Sequence, residues 1–437
     1  MDRDRPETTR VSLGAKLSDQ ALVLQGGTAL EGSIEVSGAK NAALPLLAAS
    51  LLTREPVTLY RVPRIADVEV LLDILASLGT RWSWSEPSTV TLHTPELLSV
   101  APPPELVLRM RASFELLGPI LGREGEAELT LPGGCRLGPR PVDQHVRAIR
   151  GIGASVTEID GSITAAYRRP LEGNVRFDIR TVGGTRNAIM AATLNSTQVV
   201  LENASTEPEV LALIGFLNHL GASIDVAGNT ITVRGVGSLT GGDYEIIPDR
   251  MEAGTYLLAA AATRGLVTVS GIEPAHLLPV VRFLRDTGVS IKELDPVTLR
   301  VDARSTALKP MEVVIEPHPG YPTDLHPQTV AFLATVMGKS HVLDTVFPLR
   351  TAYLPELSRL GCRLDWKGDR ADICIEGGII QGGTAHITDL RAGGALVIAG
   401  LAASNDSVLT GIEHIQRGYQ DLSYKLTSLG ASVVFDR

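Results

Sequence analysis

The chain of 437 residues has only three cysteines, and aromatic residues make up just 4% of it. Cys135, Cys362 and Cys374 form an odd, widely spaced set without metal-ligand spacing. Neither a disulfide framework nor a zinc site is expected, and no metal or cofactor is assigned. Positive charge is in the minority: 40 lysines and arginines face 49 aspartates and glutamates, leaving a net charge of −9. That balance argues against a nucleic-acid partner, since such proteins carry a basic face, but it leaves room for local basic pockets that bind small anions. No apolar run is long and unbroken enough to span a bilayer, so no membrane partner is expected. Residues 1–17 lack the apolar stretch of a signal peptide and read as a disordered tail, which places the chain in the cytoplasm.

Glycine, in contrast, is plentiful, and its placement is periodic. A short amphipathic helix, a Leu-Gly-Ala or close variant and a β-branched strand recur around Gly79, Gly153, Gly221, Gly288, Gly361 and Gly430, roughly seventy residues apart. Glycine just past the last helical turn is the expected left-handed cap. Ahead of each runs a second recurring element: an extended run, a polar or glycine turn, an alanine- and leucine-rich helix, then another strand. It starts at residues 34–45 and returns over 109–131, 177–202, 244–269, 313–343 and 385–409. Six repeated βαβαβ-type units result, each too small to bury its own sheet. The fold class is therefore α/β, with two domains of three units, the nearly all-apolar helices inside and the sheets outside. Trp82 and Trp84 alternate as residues covering a sheet face do, and Pro102-Pro-Pro104 reads as a rigid connector.

The turn before each alanine-rich helix is where the units differ and where charge gathers. Lys40 and Asn41 occupy it in the first unit, Arg111 in the second, Arg180 and Arg186 in the third. Asp249 and Arg250, then Asp324, then Asp389 and Arg391 occupy the remaining three. Several helix N-termini converging on a cleft offer N–H groups and positive dipole ends to an anion. With Arg140 and Arg417 added, such a cleft suits phosphates and carboxylates. Taken singly, Asp249, Asp324 and Asp389 read first as N-caps, whereas an arginine at a helix start opposes the dipole, so Arg111 and Arg391 are harder to assign to structure. His145 and His318 read as structural or solvated. The segment from Leu131 to His145 sets Cys135 behind two glycines with Arg140 and Asp143 close after it. A thiolate beside a guanidinium is reactive, although a surface turn with an incidental cysteine fits that loop equally well.

In order along the chain, Gly38-Ala-Lys-Asn-Ala-Ala-Leu-Pro45, Met110-Arg-Ala-Ser113, Leu131-Pro-Gly-Gly-Cys135, Arg140-Pro-Val-Asp143, Pro248-Asp-Arg250, Pro322-Thr-Asp324, Thr388-Asp-Leu-Arg-Ala392 and Arg417-Gly-Tyr419 resemble the motifs of the enolpyruvyltransferases. The likeness runs over residues 20–435. It implies a two-domain inside-out α/β barrel, with residues 18–39 plus 249–437 as the first domain and 40–248, carrying the Cys135 loop, as the second. Two small-molecule substrates are implied, phosphoenolpyruvate and a uridine nucleotide. By motif, Lys40, Arg111, Arg140, Arg391 and Arg417 would hold phosphoenolpyruvate. Cys135 would be the loop thiol linked to proton donation at the enolpyruvyl methylene and to alkylation by fosfomycin. Asp324 would take the acceptor's proton, with Asp389 and Lys40 beside it in the chemistry. Asn41, Arg140, Pro141, Val142, Asp143, Thr181, Val182, Gly183, Asp324 and Val346 would line the uridine nucleotide.

The chain departs from the family pattern on the acceptor side. Ile179 stands where a lysine is usual, with Arg180 beside it and Thr181 in place of serine. Gln144, Arg186, Ala204-Ser-Thr-Glu-Pro208 and Pro348-Leu-Arg-Thr-Ala-Tyr353 are further departures. Donor-side residues are kept, so the expected acceptor is the 3′-hydroxyl of UMP, as in the nucleoside-antibiotic branch, with Arg180 or Arg186 toward its 5′-phosphate. UDP-N-acetylglucosamine is the alternative acceptor, and a non-catalytic nucleotide-binding paralogue the alternative of another class. A shikimate-type activity is disfavoured by the Gly-Gly-Cys and Arg-Pro-Val-Asp motifs. The oligomeric state is left open.

Overall fold

The structure, a computed structural model, describes residues 21–131, 142–305, 307–368 and 370–436. The expected tail therefore lies outside the described residues, as do Cys135, Arg140 and Pro141. The described residues form six sheets, five of four strands and one of three. The unit spanning 171–234 shows the plan. Its leading strand Leu171–Arg176 runs parallel to Ser196–Glu202, and Thr230–Arg234 then pairs antiparallel with both Ser196–Glu202 and Ser223–Ala227. The central helix Val182–Thr193 and the outer helix Pro208–His219 fill the crossovers. All six expected capping glycines have φ between 83° and 103°, the left-handed region that a β-carbon disfavours.

The helices are inside and the sheets outside, as the apolar composition of the central helices requires. Every residue of Arg250–Ala262 is buried, whereas the outer strands alternate, as Thr230–Arg234 does with Ile231 and Val233 turned inward. Two separate hydrophobic cores result. One collects residues 22–36 and 251–431; the other collects 39–246. Trp82 and Trp84 lie on Arg81–Glu86 and pack against the second core from a half-buried sheet face.

Two details differ from a plain succession of six identical units. Among the described residues the second unit has no leading strand: Pro104 opens the short helix Pro104–Val107, where its fixed φ and missing N–H suit the first helical position, and the sheet has three strands. The first and fourth units also exchange leading strands. Glu31–Glu35 pairs with Leu266–Ser270 in one core, and Gly242–Glu245 pairs with Val57–Tyr60 in the other. The chain therefore passes twice between the cores, and the two passages lie side by side. Gly38 pairs with Pro248, Ala39 N–H donates to Ile247 O at 2.8 Å, and Asp249 N–H donates to Ser37 O at 3.0 Å. A β-carbon on Gly38 would sit 1.7 Å from Arg61 O, so only glycine fits. Among the described residues no helix is long and apolar enough to cross a membrane.

Candidate active site

The crossing strands deliver the first central helix, Lys40–Ala49, to the boundary between the cores. Its N-cap residue is Ala39, which has no side chain to satisfy the first N–H groups. Asp249 supplies that cap from the other passage. One carboxylate oxygen accepts from Met251 and Glu252 N–H of its own helix, and the other accepts from Lys40 N–H at 3.2 Å. Asp249 is thus a cap, as its position suggested, but one shared between two helices.

The Lys40 ammonium lies 2.6 Å from Asp67 Oδ2, and Arg417 Nε lies 2.8 Å from Asp67 Oδ1. Asp67 belongs to the first turn of the outer helix Ala66–Ser77, and Arg417 ends the short 3₁₀ helix Ile412–Arg417 on the other core. Burial works to keep Asp67 protonated, yet Lys40 and Arg417 outweigh it and hold the carboxyl below its ordinary value. Lys40 moves the other way: burial, with Arg391 and Arg417 pushing in the same sense, lowers its pKa against the pull of Asp67.

Asp324 is not a cap. It sits in the 3₁₀ turn Thr323–Leu325, and its carboxylate turns toward Arg391 at 2.8 Å and Arg350 at 3.1 Å. Asn41 Nδ2 also donates to it, at 3.3 Å. Burial raises its pKa, but the two guanidinium groups more than offset this and hold it far below the carboxylate range. Four cations, Lys40, Arg350, Arg391 and Arg417, thus gather around the two carboxylates. Asp389 caps Leu390–Ala402, with Oδ1 accepting from Arg391 N–H at 2.9 Å and Ala392 N–H at 3.1 Å.

A cleft of about 380 Å³, including its open mouth, runs alongside Asp324. Asn41, Asp324 and Val346 line it together with Glu207, Arg250, Glu316 and His318. Arg250 forms one wall and crosses between the cores, with Nε 2.8 Å from Glu209 and Nη2 2.8 Å from Glu207. His318, read as structural or solvated, gives its carbonyl to Arg180 Nη1 at 2.9 Å across the same boundary. Arg111, Val142, Asp143, Thr181, Val182 and Gly183 lie outside the lining of this cleft. Thr181 caps Val182–Thr193 by accepting from Gly184 N–H, Asp143 opens Asp143–Gly151, and Arg111 opens the 3₁₀ helix Arg111–Leu116. His145 packs edge-on against Phe114 and lies 2.7 Å from Asn187 Nδ2. Arg186 is buried: Glu115 takes its Nη1 at 2.9 Å, and Asn41 O takes its Nη2 at 2.7 Å. It supports the start of the Lys40 helix and does not face the cleft as a spare cation.

Two residues of this site carry no motif in the sequence, Asp67 and Arg350. An acid in the first turn of an outer helix is ordinary, since it favours the dipole, and nothing links position 67 to position 417 until the chain is folded. Arg350 lay within a stretch that reads as a departure from pattern. Among the described residues, no group of three or more His, Cys, Asp or Glu side chains is arranged to hold a metal ion.

Comparison with known proteins places this geometry. Residues 24–426 match the family described as EPSP synthase (3-phosphoshikimate 1-carboxyvinyltransferase). UDP-N-acetylglucosamine 1-carboxyvinyltransferase of Deinococcus deserti is 46% identical over 412 residues, covering 94% of this chain and 96% of that protein. The Deinococcus radiodurans enzyme of that name is 47% identical over 419 residues, with the same two coverages. Among solved structures, the enolpyruvyl transferase NikO from Streptomyces tendae superposes with a TM-score of 0.85 at 23% identity, covering 95% of this chain and 98% of that one. EPSP synthase from Acinetobacter baumannii does so with a TM-score of 0.74 at 17% identity, covering 96% and 100%. At those identities the two structures speak for the shared inside-out two-domain fold. The sequence matches go further: this chain is an enzyme and belongs to the enolpyruvyltransferase family.

Proposed function

We propose that the protein transfers the enolpyruvyl group of phosphoenolpyruvate to a hydroxyl of UDP-N-acetylglucosamine, releasing phosphate. The observation that carries this reading is the meeting of Lys40, Arg391 and Arg417 around Asp67 and Asp324 at the boundary of the two cores. The phosphate and carboxylate of the donor offer the same oxygens as those two side chains, with more charge, and would share or replace them as partners. Drawing Arg391 toward the donor would loosen its hold on Asp324 and raise the basicity of that carboxylate as the acceptor arrives. Asp324 then takes the hydroxyl proton, the oxygen adds to C2 of the donor, and C3 receives a proton. We assign that proton to Cys135, which lies outside the described residues. Loss of phosphate from C2 and of a proton from C3 restores the double bond. The first domain we place at 18–39 plus 249–437 and the second at 40–248, so that closing them on each other would shield the reacting atoms from water.

The relatives at 46–47% identity over nearly the whole chain support UDP-N-acetylglucosamine as acceptor. The expectation of UMP rested partly on Arg186 as a phosphate ligand. That support weakens with Arg186 committed to Glu115 and Asn41. Arg180 keeps the second reading alive, because it is exposed at the edge of the cleft beside His318. Phosphate release from phosphoenolpyruvate, measured with each nucleotide in turn, separates the two readings. A protein that bound uridine nucleotides but released no phosphate with either would favour the non-catalytic paralogue.

A further inference from the structure

We infer that His326 is a positioning residue for the transfer, acting through Asp344 on the two segments that hold Asp324. This rests on the reading of Asp324 as the group that accepts the acceptor's proton. His326 opens the central helix His326–Leu333 and is fully buried, as are Asp344 and Tyr353. Tyr353 Oη lies 2.9 Å from His326 Nε2, with the two rings nearly perpendicular. His326 Nδ1 lies 3.1 Å from Asp344 Oδ2. If the phenol donates to Nε2, the proton of a neutral imidazole is on Nδ1 and faces the carboxylate, in a contact not aligned as a hydrogen bond. Burial favours that neutral form and lowers the imidazole pKa against the pull of Asp344.

Asp344 is the hub of this arrangement. Its Oδ1 accepts from Val346 N–H at 2.8 Å and Phe347 N–H at 2.9 Å, and its Oδ2 accepts from Thr323 Oγ1 at 2.7 Å. One buried carboxylate thereby fixes the start of the segment that carries Val346 and Arg350 and, at the same time, the residue before Asp324. The two segments meet again at the site, because Arg350 donates both to Thr323 O and to Asp324 Oδ1. His326 sets a polar ring nitrogen 3.1 Å from Asp344 Oδ2 beside those three aligned donors, and in its neutral form it does so without adding a charge. Without it, Asp344 would keep its three donors but lose the polar group packed against Oδ2, and any shift of the carboxylate would carry both supports of Asp324 with it.

Two substitutions separate this role from simple packing. In His326→Asn the amide nitrogen falls near the Nδ1 position and keeps a donor for Asp344. In His326→Gln the longer side chain reaches toward Tyr353 and leaves Asp344 unserved. We expect both variants to melt lower than the parent. His326→Asn should keep kcat within about threefold, and His326→Gln should lose roughly ten- to a hundredfold in kcat with the KM for phosphoenolpyruvate unchanged. Thr323→Val, which removes another donor to Asp344 from a less buried position, should lower kcat in the same way and serves if the His326 variants do not fold. Equal kcat in the two His326 variants, or full kcat in Thr323→Val, would overturn the positioning role. Full activity of Asp324→Asn would instead overturn the reading of Asp324 on which it rests.

Discussion

Arg391 Nη2 lies 2.8 Å from Asp324 Oδ2, so a cation expected to grip the donor is paired with the carboxylate expected to deprotonate the acceptor. The pairing links the two halves of the reaction. If Asp324 is the base, Asp324→Asn should lower kcat by about a hundredfold to ten-thousandfold without loss of cooperative unfolding. Arg391→Ala should raise the Asp324 pKa, because a guanidinium that favours the ionised form has gone. The acid limb of kcat/KM should therefore move to higher pH. A pH profile unchanged by Arg391→Ala would argue that another group is the base.

Stability should fall in acid for a related reason. Asp67 and Asp324 both titrate below the ordinary carboxylate value when folded, because the surrounding cations outweigh burial. The unfolded chain then binds protons first as pH falls. Their contribution is complete above the unfolded value of about 3.9 and is lost as the pH drops below it toward their folded values. Denaturant midpoints measured from pH 7 to 2.5 should decline most steeply below about pH 4, and the decline should be shallower in Asp67→Asn.

Asp67→Asn should also be less stable at neutral pH, by about 3 kcal/mol, since it leaves Lys40 and Arg417 facing each other without their shared counter-charge. Phosphoenolpyruvate supplies anions to the same two cations. Its addition should raise the melting temperature of the variant more than that of the parent, a difference that calorimetry with and without the donor reads directly.

Much of this architecture could be read from the chain, because its signals are local and repeated. The six glycine caps, the alternating outer strands and the apolar central helices each follow from a few adjacent residues, and six copies reinforce one another. The strand exchange at Gly38 and Pro248 was not legible in the repeats, since the partners lie about two hundred residues apart and no local pattern says which sheet a leading strand joins; the expectation of a discontinuous domain came only from the family resemblance. The same holds inside the site. Lys40, Asp324, Arg391 and Arg417 stood out as motif residues, whereas Asp67 and Arg350 look ordinary until folding sets them against those residues.

Arg186 gives a further test, because it stood out for the wrong reason. Its buried partner Glu115 suggests that Arg186→Leu alone should cost about 3 to 5 kcal/mol by leaving a carboxylate unpaired, and that Arg186→Leu with Glu115→Leu should recover most of the loss. The double variant should bind its nucleotide within a few-fold of the parent. A large rise in acceptor KM with stability restored would return Arg186 to the acceptor site.

The central claim is enolpyruvyl transfer to UDP-N-acetylglucosamine, and the direct measurement is phosphate released from phosphoenolpyruvate with that nucleotide or with UMP, at matched concentrations, alongside mass analysis of the nucleotide product. We predict release and a carboxyvinyl-bearing UDP-N-acetylglucosamine, with neither for UMP. Release with UMP alone would contradict the account.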